Sequence, residues 1–339
     1  MTDLKFLKGK GPALAVIVFT VILACGTALK KSEKNRIIFD TDANNELDDQ
    51  HALAYLFFNG DHFDLAGVTV NATFNGGDIT EHYKEAERVL KLSNIYKKVP
   101  LLAGANKSFE EIRPGLDENT FDGQEAVDFI INEAHKVNNE KLILMPVGKL
   151  TNIALALEKD PSIANKVRIV WLGSNYPEPG EYNQVNDTVS MNYILNTKVP
   201  FEMVTVRYGK TTGTNAVTAN REEIGKKMPG LGPEATRTVT GRHGGTFRNF
   251  GDYSVNLFKH IDSHDEKGTR ALFDMAAVAI VKNPGWAEKK EIPAPVLIEG
   301  KWVERPGNMR TIMVWENFNK EAIMEDFYST MRKPVLVKK

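Results

Sequence analysis

Cysteine is nearly absent from this chain: Cys25 is the only one in 339 residues. No intrachain disulfide can form, so the fold must rest on its apolar core in any redox compartment. An excess of charge is also lacking. The formal net charge of -1 gives no basic footprint for nucleic acid and no acidic tail, and points to a small-molecule ligand. There is no repeat of fixed period and no low-complexity run. Nor is there a serine-hydrolase elbow, a His-Glu-x-x-His pair or a P-loop, which removes several common hydrolase chemistries. What is present is the composition of a packed domain, 42% hydrophobic and 26% charged, at a length that suits one α/β domain of roughly 300 residues.

The N-terminus differs from the rest. Lys5, Lys8 and Lys10 precede an apolar run over residues 13–24, and Cys25 follows at once. The run is short of the roughly 20 residues that span a bilayer. Basic, apolar, then small is the order of a secretory signal, and Ile22-Leu23-Ala24-Cys25-Gly26 resembles a bacterial lipobox. The expectation is a signal peptide over 1–25 with lipid carried on Cys25, and a polar, lysine-rich tether over 26–35. A plain signal peptide or an uncleaved anchor helix is the alternative. A lipid anchor implies export, with membrane contact through the N-terminal lipid only.

From residue 36 to 335 short apolar runs alternate with helical periods, which predicts a single domain. Strands are expected over 36–40, 65–71, 99–103, 141–147, 167–172 and 201–206. Helices are expected over 48–59, 79–92, 124–135 and 151–157 and near Met191. Strand and helix in turn predict an α/β fold: an open, mostly parallel sheet flanked by helices. Residues 209–265, rich in Gly, Thr and charge, read as helices and loops over the C-terminal edge of the sheet, a candidate lid with Phe247 and Phe250. An apolar helix over 271–281, edge strands or a hairpin over 291–297 and 310–314, and a closing helix over 322–331 complete the pattern.

The most informative segment is Asp40-Thr41-Asp42-Ala43-Asn44-Asn45-Glu46-Leu47-Asp48-Asp49, directly after an apolar strand. Ligands of open α/β sheets bind beyond the carboxyl ends of the strands. Carboxylates crowded there repel one another unless a cation compensates. A hard divalent ion with oxygen ligands does so, and calcium tolerates irregular carboxylate and carbonyl geometry better than magnesium. A helix N-cap with dipole-favoured acids would explain Asp48 or Asp49 but not Asp40 and Asp42.

This segment resembles the N-terminal signature of the inosine–uridine nucleoside hydrolases, Asp-x-Asp then Asp-Asp and an Ala-Leu helix. The turn over 43–47 is two residues longer than the family's Pro-Gly turn, an insertion that offers Asn45 or Glu46 as an addition to the site. Further blocks follow in order: Val68 to Asn71, Pro146 to Asn152, Glu181-Tyr182-Asn183 and Leu272-Phe273-Asp274. The resemblance, which runs from Arg36 to the C-terminal helix, implies a Rossmann-like core and hydrolysis of ribonucleosides to base and ribose. It implies calcium held by Asp42, Asp49, Asp274 and the Val147 carbonyl, with Asp42 as general base. Asp48, Asn71, Asn175, Glu181 and Asn183 would bind the sugar, and Asp40 would orient its neighbours from behind. The family is usually dimeric or tetrameric, which implies a homo-oligomer. Phe273 stands where the family has the histidine that assists the leaving base. Replacements are sought among Arg242, His243, Tyr253, His260 and His264, or in stacking on Phe273 and Tyr182. Two other readings stay open: a phosphatase with Asp40 as nucleophile and Asp42 as acid, needing magnesium, and a surface lipoprotein that binds nucleosides without cleaving them.

Overall fold

Strands buried on both faces must be apolar at every position, and this chain supplies several such runs. In the computed structural model they form one eight-stranded sheet. In chain order these are β1 (Asn35–Thr41), β2 (Phe63–Val70), β3 (Leu101–Leu102), β4 (Leu142–Pro146), β5 (Val167–Ser174), β6 (Phe201–Thr205), β7 (Glu288–Pro293) and β8 (Thr311–Glu316). Their spatial order is β7-β8-β6-β5-β4-β1-β2-β3. All neighbours are parallel except the edge pair β7–β8. The structure describes residue 2 and residues 34–137, 140–261 and 265–337. The expected signal peptide, Cys25, most of the tether and His264 lie outside the described residues. Among the described residues no helix is long and apolar enough to cross a membrane.

Side chains of a strand alternate between faces, and the core divides accordingly. Ile37, Phe39, Ile143, Met145, Val170 and Leu172 pack on one side of the sheet. Ile38, Leu142, Leu144, Ile169 and Trp171 pack on the other. Helices α1 (Asp48–Phe57), α2 (Ile79–Leu92), α3 (Gln124–Lys136), α4 (Thr151–Lys159), α5 (Tyr182–Asn186), α6 (Thr188–Leu195), α7 (Arg221–Lys227), α8 (Phe250–His260), α9 (Phe273–Lys282) and α10 (Lys320–Arg332) connect and flank the strands. The helix α9, apolar from Met275 to Val281, lies against α1, and both helices are buried along nearly their whole length.

Two expectations need correction. The strand expected over 99–103 shrinks to two residues, because the preceding turn holds Asn94 and Lys97 at positive φ and ends just before Leu101. The stretch over 209–265 holds α7, α8 and a short hairpin of Val239–Thr240 with Thr246–Phe247. Its aromatics do not form a lid: Phe250 is fully buried and Phe247 packs against the core beside Tyr253.

Candidate active site

The strand order reverses between β1 and β4, and there a crevice opens beyond the carboxyl ends. Backbone bonds stitch its rim together: the Val147 N–H donates to the Asp40 carbonyl at 2.9 Å, and the Asn71 N–H to the Thr41 carbonyl at 3.0 Å. Chain ends from β1, β2 and β4 therefore meet under a cavity of about 570 Å³. Asp42, Asp48, Asp49, Val147, Glu181, Asn183 and Asp274 all line it. The structure thus brings together residues that the chain separates by most of its length.

α1 begins at Asp48 and α9 at Phe273, and neither has a side-chain cap. Their first turns point acids at the cavity, where the helix dipoles favour negative charge. Oxygens of Asp48, Asp49 and Asp274 converge within 4.8 Å of one another. Burial pushes all three carboxyls up, Asp48 to about 7, and the charge of Asp42 pushes each further, with Asp48 adding to the rise of Asp49 and Asp274. Asp42 is raised by burial, and Glu181 is raised by burial to about 7. Such a buried, all-oxygen, mutually repelling set fits a hard divalent cation, which would neutralise it. Asp48 belongs to this tight group more closely than the sequence reading implied, and Asp42 stands beside it on the cavity wall.

Asp42 is held from behind. Thr73 Oγ1 donates to its Oδ2 at 2.6 Å, and the Asn45 N–H donates to its carbonyl at 2.8 Å. Gly148 gives it room: a Cβ there would stand 2.8 Å from Asp42 Oδ1 and 2.7 Å from Asn71 Oδ1. The Val147 carbonyl accepts from Asn183 Nδ2 at 2.6 Å, which leaves one lone pair for a ligand.

Asp40 is fully buried and does not line the cavity. It accepts from Thr69 Oγ1 at 2.6 Å, Asn71 Nδ2 at 2.7 Å and Asn152 Nδ2 at 2.7 Å. A carboxylate so enclosed cannot attack a substrate, and the phosphatase reading loses its nucleophile. Asn71 is fully buried too: its Nδ2 is taken by Asp40, while its Oδ1 has no hydrogen-bond partner and faces Gly148, as Asp42 Oδ1 does. Asn175 is also absent from the wall. Its Nδ2 donates to the Pro179 carbonyl at 3.0 Å and its Oδ1 accepts from the Tyr208 N–H at 2.9 Å, so both ends of the amide hold a loop.

Tyr208 and Arg270 are among the wall residues that escaped the sequence reading. Tyr208 lies edge-on to Phe273, ring centres 6.0 Å apart. Arg270 pairs with Glu46 of the lengthened turn, and both line the cavity. Tyr208 follows the end of β6, the position where ligand contacts gather in such sheets, which is the signal that could have found it. Among the leaving-group candidates, the Tyr253 hydroxyl is buried and donates to Glu85 at 2.5 Å. Arg242, His243 and His260 line a neighbouring cavity instead.

A sheet reversing over a nest of buried carboxylates, with aromatics above it, is the constitution of a hydrolase acting on N-glycosyl compounds. The chain belongs to the inosine-uridine preferring nucleoside hydrolase family, whose model matches residues 37–326. The family is metal-dependent, and its fold and membership support ribonucleoside hydrolysis in general, with a small-molecule nucleoside as substrate. An uncharacterized protein of Schizosaccharomyces pombe is 27% identical over 193 residues, 50% of this chain and 60% of that protein. The inosine-uridine preferring nucleoside hydrolase of Crithidia fasciculata is 22% identical over 290 residues, 78% of this chain and 84% of that enzyme. A plant nucleoside hydrolase superimposes with a TM-score of 0.69 at 17% identity, covering 89% of this chain and all of that one.

Proposed function

We propose that this protein cleaves the N-glycosidic bond of ribonucleosides to free base and ribose, with calcium at the carboxylate cluster and Asp42 as general base. The observation that carries this reading is the convergence of Asp48, Asp49 and Asp274 beside Asp42 in one cavity. Asp49 and Asp274, with Asp42 and the Val147 carbonyl, would hold the ion, and the mixed carboxylate and carbonyl donors favour calcium over magnesium. When bound there, the cation supplies positive charge that orders ribose hydroxyls and makes a nearby water more acidic.

The remaining work falls to the chain. Cleavage develops positive charge on the sugar ring, and the acidic floor stabilises that charge. Asp42, fixed by Thr73 and cleared by Gly148, takes the proton of the attacking water. Asp48 accepts a hydrogen bond from a ribose hydroxyl, and Glu181 and Asn183 orient the others from the facing wall. Asn71 and Asn152 act at one remove by fixing Asp40. Tyr182, Tyr208 and Phe273 offer apolar faces to the base.

The test is release of ribose from a panel of ribonucleosides, with and without chelator. At least one should be cleaved, and chelation should abolish the activity; binding without any ribose release would favour the non-catalytic nucleoside-binding reading. The proposal extends to the N-terminus on the order of Lys5 to Lys10, the apolar run and Cys25: an exported, lipid-anchored homo-oligomer. Mass spectrometry of membrane-extracted protein should find lipid on Cys25, and size-exclusion chromatography a mass above that of one chain.

A further inference from the structure

A second cavity of about 270 Å³ adjoins the catalytic one. Asn45, Glu46 and Arg270 line both, so the lengthened turn and its ion pair form the shared wall. The far side carries Arg242, His243 and His260. The two imidazole rings stack with centres 4.9 Å apart and planes 14° from parallel. His260 Nδ1 is tied to the Asn256 carbonyl at 2.8 Å, which fixes the orientation of that ring. Among the described residues no carboxylate lies within ion-pair distance of Arg242, His243 or His260. Burial and the neighbouring charges of Arg242 and His260 hold the His243 imidazole below its ordinary value. Two guanidiniums and two stacked imidazoles are thus gathered, partly desolvated, one wall away from the reacting centre, with Glu46 paired to Arg270 and the charge of Asp49 acting on Arg242.

Neutral nucleosides have no use for such a lining, whereas a guanidinium fork with adjacent imidazoles is suited to anionic oxygens. We propose that this second cavity is an anion subsite of the active centre, and that the ribosyl compound this protein cleaves carries a phosphate or carboxylate group that lies there against Arg242, Arg270 and the stacked histidines. The inference rests on the nucleoside hydrolase reading above. Glu46 holds Arg270 from a partly exposed side chain, so an incoming anion can take its place while Glu46 turns to solvent. The anionic group has two possible sources, a phosphate on the ribose or an acid on the base, and matched substrates separate them.

The experiment compares kcat/KM of the calcium-loaded full chain for inosine against inosine 5′-monophosphate, and for uridine against orotidine, in wild type and Arg242→Ala. One anionic member should be preferred by about tenfold or more, as for hydrogen bonds to charged groups. Arg242→Ala should erase the preference through KM and leave the neutral member within about twofold. The pair that responds identifies the source. Anionic compounds no better than neutral ones in wild type, or an equal fall for both in the variant, overturns the subsite while leaving nucleoside hydrolysis intact. If no compound is cleaved, the hydrolase reading fails, and calorimetry of the same four compounds decides the subsite separately. Tighter wild-type binding of an anionic member, lost in Arg242→Ala, supports it; equal affinity for all four overturns it.

Discussion

Asp49 and Asp274 present carboxylate oxygens within 4.8 Å of each other, although one lies in the first turn of α1 and the other in the first turn of α9. Two buried like charges so close destabilise a metal-free fold. Asp274→Asn removes one of them and keeps the shape. The expected outcome is a higher melting temperature than wild type in chelator, together with loss of the calcium response, read by calorimetry or thermal fluorescence. A variant less stable than wild type under chelation would mean that the carboxylate is compensated by something other than a cation.

Metal-free stability should fall as pH rises from about 5 to about 7.5. Asp48 and Glu181 are raised to about 7 and Asp40 to about 6, all by burial. Between their unfolded values near 4 and these folded ones, the folded state holds more protons than the unfolded chain. Stability therefore declines with pH across that window. His51, buried and lowered to about 4 from 6.5, pulls the other way below pH 6.5, but it is a single group. Calcium should raise the melting temperature more at pH 7.5 than at pH 5. Thermal melts at the two pH values, with chelator and with calcium, check both signs.

Asp42→Ala should lower kcat by about 10²- to 10⁴-fold, the usual share of a general base. KM should change much less, because Glu181, Asn183 and Asp48 still line the cavity. Steady-state ribose release across pH reads both parameters. Turnover equal to wild type would remove Asp42 from the proton-transfer step.

The packing behind the site has its own consequence. Asn152 Nδ2 donates to Asp40 at 2.7 Å and to the Val70 carbonyl at 2.9 Å, and its Oδ1 accepts from the Ala105 N–H at 2.8 Å. Asn152→Ala strands buried partners on three segments and should cost about 3 kcal/mol of stability. Chemical denaturation with an unchanged m-value would register it. A loss under about 0.5 kcal/mol would show the network to be replaceable.

The parts of this fold that were legible in the sequence were those whose cause is local. β1, β4 and β5 read directly because each holds an unbroken apolar run, Ile37 to Phe39, Leu142 to Pro146 and Ile169 to Leu172, buried on both faces. The acids after β1 read as a metal site because Asp40 and Asp42 had no helix-capping explanation. What local pattern could not supply was side-chain direction. Asn71 and Asn175 sit at strand ends suited to sugar contacts, yet Nδ2 of Asn71 turns inward to Asp40 and that of Asn175 to the Pro179 loop. Arg270 escaped because its place on the wall depends on Glu46, far away in the chain. β8 pairs in parallel with β6 across a long connection, so the pattern of residues 310–314 alone could not show its partner. The two-residue strands after Gly209 are too short to carry a period.

Asp49, Asp274 and their neighbours are proposed to bind one divalent cation, and calorimetric titration of metal-free protein with calcium is the direct test. One ion per chain is expected in wild type, and no measurable binding by Asp274→Asn at the same concentrations. Wild type that takes up no calcium, or an Asp274→Asn variant that binds it as tightly, would contradict it.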